Sequence, residues 1–134
     1  MSTRPPSVTT RSPTRRVPAW KTRTSGTAAA NFLPAIAEAF LAGVPLVAVT
    51  ADRPPELRGA GASQTIDQVN LYGTHAHHFR DLACPDEPGA APEAAALAAL
   101  EADRMAGAGA SGPVHLNVPY REPLVPPPEE MAAC

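Results

Sequence analysis

Apolar residues in this chain fall into short runs separated by stretches that contain glycine, proline and polar residues. The run Leu46–Thr50 ends at a polar turn, and the run Val114–Val118 is flanked by two prolines. Short apolar runs that are rich in β-branched residues and bounded by turn residues predict buried strands. The segment His78–Leu82 predicts a third, shorter strand.

Between these predicted strands, apolar residues recur at helical spacing. Over residues 32–43 this spacing predicts a helix with one inward face. Pro34 is compatible with that helix if Asn31 is the N-cap, because N–H groups of the first turn have no intrahelical partner. A short helix is predicted at Gln64–Tyr72, and an alanine-rich helix is predicted from Pro92 to about Ala106.

The alternation of strands and helices predicts an α/β fold with a parallel sheet and right-handed crossovers. We assign residues 24–126 to this domain and residues 127–134 to a linker. Three strands leave the sheet with an open edge. Residues 1–23 contain six basic residues, no acidic residue and four prolines, and we predict that they are disordered. Those prolines also interrupt the amphipathic helix that a transit peptide would form.

The net charge, the lengths of the apolar runs and the cysteine spacing limit the classes of function that the chain could have. The net charge of −2 indicates neither a nucleic-acid partner nor a membrane partner. No apolar run reaches the ~18 residues of a transmembrane helix. Cys84 and Cys134 form no C-x-x-C pair, which favours a reduced, cytoplasmic setting.

Candidate chemistry follows the strand Leu46–Thr50, because ligands of open parallel sheets bind outside the carboxyl ends of the strands. Arg53 and Gln64 lie in the polar segment after this strand. A carboxylate ligand would suit Arg53, although a solvated arginine paired with Asp52 or Glu56 is the simpler interpretation from residue type alone. Upstream, hydroxyls and backbone N–H groups at a helix start offer either a ligand loop or ordinary capping, at Ser25, Gly26 and Thr27.

Two other motifs are weaker evidence for a binding site. His75, His77 and His78 invite a metal site, but no cysteine or carboxylate lies at a familiar zinc interval. Residues 107–112 satisfy G-x-G-x-x-G, yet they follow a predicted helix and precede a strand, whereas a dinucleotide fingerprint follows a strand and opens a helix. We interpret them as a helix C-cap and linker.

Three segments together resemble one enzyme family. TSGTAAAN at Thr24–Asn31 and GPVHLNVP at Gly112–Pro119 resemble the wider thiamine-diphosphate superfamily. TADRPPELRGAGASQTIDQ at Thr50–Gln68 is similar to the pyrimidine-binding domain of 2-succinyl-5-enolpyruvyl-6-hydroxy-3-cyclohexene-1-carboxylate (SEPHCHC) synthase in particular. The resemblance extends from Thr24 to Pro126.

This resemblance implies an enzyme of menaquinone biosynthesis that uses thiamine diphosphate and Mg²⁺. Such an enzyme decarboxylates 2-oxoglutarate and adds the succinyl unit to isochorismate, and it works as a homo-oligomer. By resemblance, Arg53 and Gln64 bind substrate and Gln64 also takes part in catalysis. The cofactor-binding residues implied in the same way are Ser25, Gly26, Thr27 and Asn31.

The chain also departs from the family. Ser63 stands where the family usually has asparagine, and residues 1–23 contain no glutamate to hydrogen-bond the aminopyrimidine ring. A Gly-Asp-Gly metal-diphosphate motif is absent as well. We therefore expect a truncated or frame-shifted form of a longer gene that is inactive alone. The alternatives are a non-catalytic remnant or interaction module, or a piece of an acetolactate-synthase-like relative, which the segment Thr50–Gln68 disfavours.

Overall fold

The computed structural model describes residues 19–84, 96, 98–100, 102–104 and 112–122. These residues form a four-stranded parallel sheet with the order β1-β2-β4-β3. The strands are β1 (Ala19–Arg23), β2 (Leu46–Asp52), β3 (His78–Asp81) and β4 (Pro113–Pro119). The α/β class and the parallel sheet predicted from the sequence are thus confirmed.

Two short helices connect β1 to β2. Helix α1 spans Thr27–Ala30 and helix α2 spans Leu33–Leu41. The helix predicted over residues 32–43 is therefore present, but its N-cap is Phe32, whereas Asn31 is the C-cap of α1. Pro34 lies in the first turn of α2, where its missing N–H removes no intrahelical hydrogen bond.

The sheet has an apolar layer on each face because side chains alternate along β2. Leu46 and Ala48 face α2, and they share a cluster with Phe32, Ile36, Ala39 and Tyr72. Val47 faces the opposite side, where it packs with Ala102, Val114 and Leu116. Described residues of the predicted alanine-rich helix, at 96, 98–100 and 102–104, are helical, and Ala98 and Ala102 are buried.

Strand β1 corrects the prediction of disorder for residues 1–23. Ala19–Arg23 pairs with β2 from Leu46 to Thr50, so this part of the segment belongs to the sheet. An edge strand is held by backbone hydrogen bonds and needs no alternating apolar pattern, and Trp20 is indeed half exposed. Residues 1–18 and 123–134 lie outside the described residues, as does most of the predicted linker motif at 107–112.

The helix predicted at Gln64–Tyr72 is wrong. This segment consists of turns and irregular backbone, followed by a 3₁₀ turn at Gly73–His75. Gln64 and Asn70 have φ angles of 56° and 54°, and such left-handed residues cannot continue a right-handed helix. The segment instead folds back over the carboxyl ends of the strands.

Candidate functional site

A buried polar cluster occupies the carboxyl ends of β2 and β4, on the face that packs against α2. The parallel register pairs Thr50 with Asn117, and the side chains of Thr50, Asp52 and Asn117 are all buried. Buried polar groups are retained when their hydrogen bonds are satisfied. The side chains of this cluster form a hydrogen-bonded network, in which Arg58 Nε and His115 Nδ1 are buried without a partner among the described residues.

Asn117 is the centre of this network. Its Oδ1 accepts hydrogen bonds from Thr50 Oγ1 at 2.9 Å and from Gln68 Nε2 at 3.0 Å. Its Nδ2 donates to Asp52 Oδ2 and to Asp81 Oδ1, both at 2.9 Å. One side-chain amide thus connects β2, β3 and the segment that crosses the strand ends.

Arg58 closes the network from the solvent side. Its guanidinium donates to both oxygens of Asp81, at 2.8 and 3.0 Å, and lies 3.0 Å from Asp52 Oδ2. The hydrogen bond to Asp81 is the largest cause that raises the pKa of Arg58 above its ordinary value. Burial acts to raise the pKa of Asp81, but the hydrogen bonds from Arg58 and Asn117 and the charge of Arg58 together lower that pKa below its ordinary value.

His115 is the titratable base of the network. Its Nε2 lies 2.8 Å from Thr50 Oγ1, whose proton is directed to Asn117 Oδ1, so we assign the ring proton to Nε2. Burial lowers the pKa of His115 to about 4, and the nearby Asp81 carboxylate opposes this only in part. The imidazole is therefore neutral near pH 7.

Gln68 connects this network to the Ser25–Thr27 loop. The backbone N–H of Gly26 donates to Gln68 Oε1 at 2.6 Å, while Gln68 Nε2 donates to Ala51 O at 2.9 Å as well as to Asn117. Only 1% of Gln68 is exposed, so these bonds fix the loop against the sheet. Sequence reasoning gave this residue no role.

The Ser25–Thr27 loop and Gln64 line one pocket of about 320 Å³, which we call the loop pocket. Its walls are residues 24–28 and 64–66, and none of their side chains is charged. Gly26 is the N-cap of α1 without a side-chain cap, so the hydroxyls of Ser25 and Thr27 do not cap this helix. Asn31, the C-cap of α1, is exposed and is not one of the wall residues of this pocket.

Glycine is required at position 26, and this leads to a first prediction. Gly26 has a φ of +75°, and a Cβ there would lie 2.8 Å from the carbonyl oxygen of Gln64. We expect Gly26→Ala to lower the free energy of unfolding by about 1–3 kcal/mol and to displace the Gln64 wall. Urea denaturation of the purified chain measures the loss.

The matched control for this change is Gly59→Ala. Gly59 has a similar φ of +73°, and a Cβ at this position would meet no atom within 4 Å, so the substitution measures backbone strain alone. The steric conflict at position 26 should make Gly26→Ala the more destabilising of the two. Equal losses would contradict the close approach of Gly26 to Gln64.

Arg53 lies in a second pocket, of about 290 Å³, which we call the arginine pocket. Its NH1 donates to Glu122 Oε1 at 2.9 Å, and its Nε donates to the carbonyl oxygen of Ser63 at 3.4 Å. The side-chain partner is thus Glu122 and neither of the acids expected from the sequence. The two predicted substrate residues line different pockets, and Ser63, next to Gln64, connects them.

The three histidines lie between the 3₁₀ turn at Gly73–His75 and the start of β3. His75 and His77 contact the ring of Phe40, with centroid distances of 5.7 and 5.1 Å, and His78 begins β3. Across the described ranges, no group of three or more histidine, cysteine or acidic residues is placed to hold a metal ion.

No helix in the described part of the chain is long and apolar enough to cross a membrane.

Comparison with known proteins identifies the family. The profile described as "Thiamine pyrophosphate enzyme, N-terminal TPP binding domain" matches residues 12–71, which include β1. The chain is 56% identical over 107 residues to the SEPHCHC synthase of Geobacillus thermodenitrificans, covering 80% of this chain and 18% of that protein. The corresponding enzyme of Saccharopolyspora erythraea is 55% identical over 104 residues, covering 77% of this chain and 19% of the relative.

The SEPHCHC synthase of Chloroflexus aurantiacus is 53% identical over 124 residues, covering 89% of this chain and 20% of that enzyme. The chain therefore spans about a fifth of the length of these relatives. Its parallel sheet agrees with an N-terminal domain of the thiamine pyrophosphate enzymes. The chain belongs to the SEPHCHC synthase family, in which it corresponds to part of the N-terminal, thiamine-pyrophosphate-binding domain.

Proposed function

We propose that the chain serves the SEPHCHC synthase reaction of menaquinone biosynthesis, in which 2-oxoglutarate is decarboxylated and its succinyl unit is added to isochorismate. The observation that carries this proposal is the loop pocket, where the Ser25–Thr27 loop meets Gln64. The complete enzyme would be a cytoplasmic homo-oligomer. Identity of 53–56% to SEPHCHC synthases over most of the chain supports this substrate class.

The loop pocket fits the aminopyrimidine half of thiamine diphosphate. Hydroxyl, amide and backbone groups surround it without a charged side chain, and such groups suit an uncharged heteroaromatic ring that forms hydrogen bonds. We assign ring binding to Ser25, Gly26 and Thr27, with Gln64 at the opposite wall. The cofactor, when bound, supplies the carbanion chemistry, while these residues hold and orient its ring.

The described residues provide no comparable site for the diphosphate half of thiamine diphosphate. No described wall residue of the loop pocket is a cation, and the described part of the chain brings together no set of ligands for Mg²⁺. None of the wall residues 24–28 and 64–66 carries a carboxylate, and residues 1–23 contain no glutamate. We therefore propose that this chain has no synthase activity on its own.

Substrate binding is proposed for Arg53 and Gln64. Arginine presents a planar fork that matches a carboxylate, and both substrates of the reaction carry two carboxylates. Gln64 is exposed in the loop pocket, where its amide can orient a substrate next to the cofactor ring. Arg53 lines the neighbouring arginine pocket, and its contact with the Ser63 carbonyl places it beside the residue that precedes Gln64.

Binding of the ring can be tested on the purified chain. We expect the free aminopyrimidine of thiamine to shift the NMR amide signals of residues 24–28 and 64–66. Gly26→Ala should weaken this binding, and Gly59→Ala should leave it unchanged, because only the former displaces the Gln64 wall. Shifts confined to other residues, or none, would contradict the assignment of the loop pocket.

The role of Arg53 can be tested in a chimera in which residues 24–122 replace the matching segment of the Geobacillus thermodenitrificans synthase. Removal of a carboxylate-binding arginine should cost about 2–5 kcal/mol, so Arg53→Ala should lower kcat/KM by roughly 30-fold to several thousand-fold. Arg104→Ala, which changes an exposed arginine of the alanine-rich helix, is the control. Unchanged kinetics for both substrates would refute the role of Arg53.

A further inference from the structure

The arginine pocket contains a second guanidinium, that of Arg121, to which the proposed function assigns no role. Arg53 and Arg121 both line it, each paired with a glutamate, and apolar atoms of Pro54 and Leu57 form part of the wall. Two guanidinium groups near a short apolar surface match the chemistry of a small dicarboxylate, whose charged ends are joined by hydrocarbon.

The two ion pairs share one asymmetry. Arg53 is 21% exposed while its partner Glu122 is 70% exposed, and the corresponding values for Arg121 and Glu56 are 32% and 52%. In both pairs the arginine is therefore held by the protein, and the carboxylate lies closer to solvent. Ion pairs at the surface contribute little to stability, so a ligand carboxylate can replace such a glutamate.

The contact between Arg53 and Glu122 is the weaker of the two by geometry. One Glu122 oxygen meets Arg53 NH1 at 2.9 Å, whereas Arg121 binds both oxygens of Glu56, at 2.6 and 3.0 Å. A bidentate pair is stronger and better oriented than a single contact. Exchange should therefore begin at Arg53.

We propose that the arginine pocket binds a small dicarboxylate, with Arg121 as its second anchor and Glu122 as an internal competitor for Arg53. One ligand carboxylate replaces Glu122 on Arg53, and the other binds the guanidinium of Arg121 beside Glu56. This inference rests on the proposed function, because it takes Arg53 as a carboxylate-binding residue. It adds two residues that determine affinity and the preference for two carboxylates over one.

The test uses the purified 134-residue chain, with succinate as the dicarboxylate probe and butyrate as the monocarboxylate probe, in NMR titrations at low ionic strength. Glu122→Gln removes the competing charge and should tighten succinate binding about three- to tenfold. Loss of folded protein cannot produce tighter binding, so this result is specific to the competition. Glu38→Gln, at an exposed site on α2, is the matched control and should have no effect.

Arg121→Gln distinguishes the second anchor from a structural role. It should weaken succinate binding at least tenfold and leave butyrate binding unchanged, because only the dicarboxylate reaches both guanidinium groups. If Glu122→Gln does not tighten succinate binding, or Arg121→Gln weakens both probes equally, the inference is wrong. If Arg53→Gln also leaves succinate binding unchanged, the role of Arg53 in the proposed function fails as well.

Discussion

Replacement of Arg58 by methionine should lower the free energy of unfolding by about 3–5 kcal/mol, because it leaves the Asp52 side chain buried without its cation. Asp52 is 3% exposed, so water cannot take over the role of the guanidinium. The same change removes both hydrogen bonds to Asp81. Since small domains are stable by only about 5–15 kcal/mol, the loss should be evident in urea denaturation followed by circular dichroism.

Arg121→Met is the matched control for this prediction. Arg121 also forms a bidentate pair, with Glu56, but both partners are partly exposed, and we expect a loss of no more than about 1 kcal/mol. Asp52→Asn should recover part of the stability in the Arg58→Met background, because it removes the uncompensated charge. Strictly additive effects of Asp52→Asn and Arg58→Met would contradict a charge pair as the cause.

The sequence predicts those parts of the fold that depend on local pattern. The apolar runs around Leu46 and Val114 lie on the two central strands of the sheet, where both faces are covered and nearly every position is buried. Helical spacing identifies α2 because one of its faces packs on that sheet. Burial of this kind leaves a signal in the residues themselves.

The edge strand β1 and the segment 64–72, which crosses the carboxyl ends of the strands, have no such sequence pattern. Strand β1 is fixed by backbone pairing with β2, which any side chains can accompany. The segment 64–72 is predicted to be a short helix, but Gln64 adopts a left-handed backbone, and the amide of Gln68 bonds to the sheet. In both places long-range hydrogen bonds override local preference.

The candidate site shows the same difference between features that neighbouring residues predict and features that long-range contacts create. A polar residue after an apolar strand points to Arg53, and a glycine in a hydroxyl-rich loop points to Gly26, because these are properties of neighbouring residues. The network around Asn117 depends on a register that joins residues 36 to 67 positions apart. One feature of the local sequence points to this network. His115 and Asn117, which are two residues apart in β4, interrupt an otherwise apolar strand and face the same side.

His115 should make the stability of the domain depend on pH between about 6.5 and 4. The unfolded chain protonates this histidine near its ordinary pKa of about 6.5, whereas burial lowers the pKa in the folded state to about 4. Within this window the unfolded state binds more protons, so stability falls as the pH falls. The shift corresponds to a loss of about 3 kcal/mol, complete near pH 4, and urea denaturation at successive pH values measures it.

His115→Phe isolates this contribution. Phenylalanine keeps a ring against Tyr72 and Phe79, which lie 4.5 and 5.1 Å from the imidazole centroid, but it cannot take up a proton. The variant loses the hydrogen bond to Thr50 at every pH, so its stability is lower near pH 7 while its slope between pH 6.5 and 4 becomes shallow. Asp81 is present in both proteins, so the stability that its lowered pKa contributes, and loses as the pH falls, is common to the two slopes. A slope equal to that of the unmodified chain would show that another group titrates, and His115 would then not be the buried neutral base of the network.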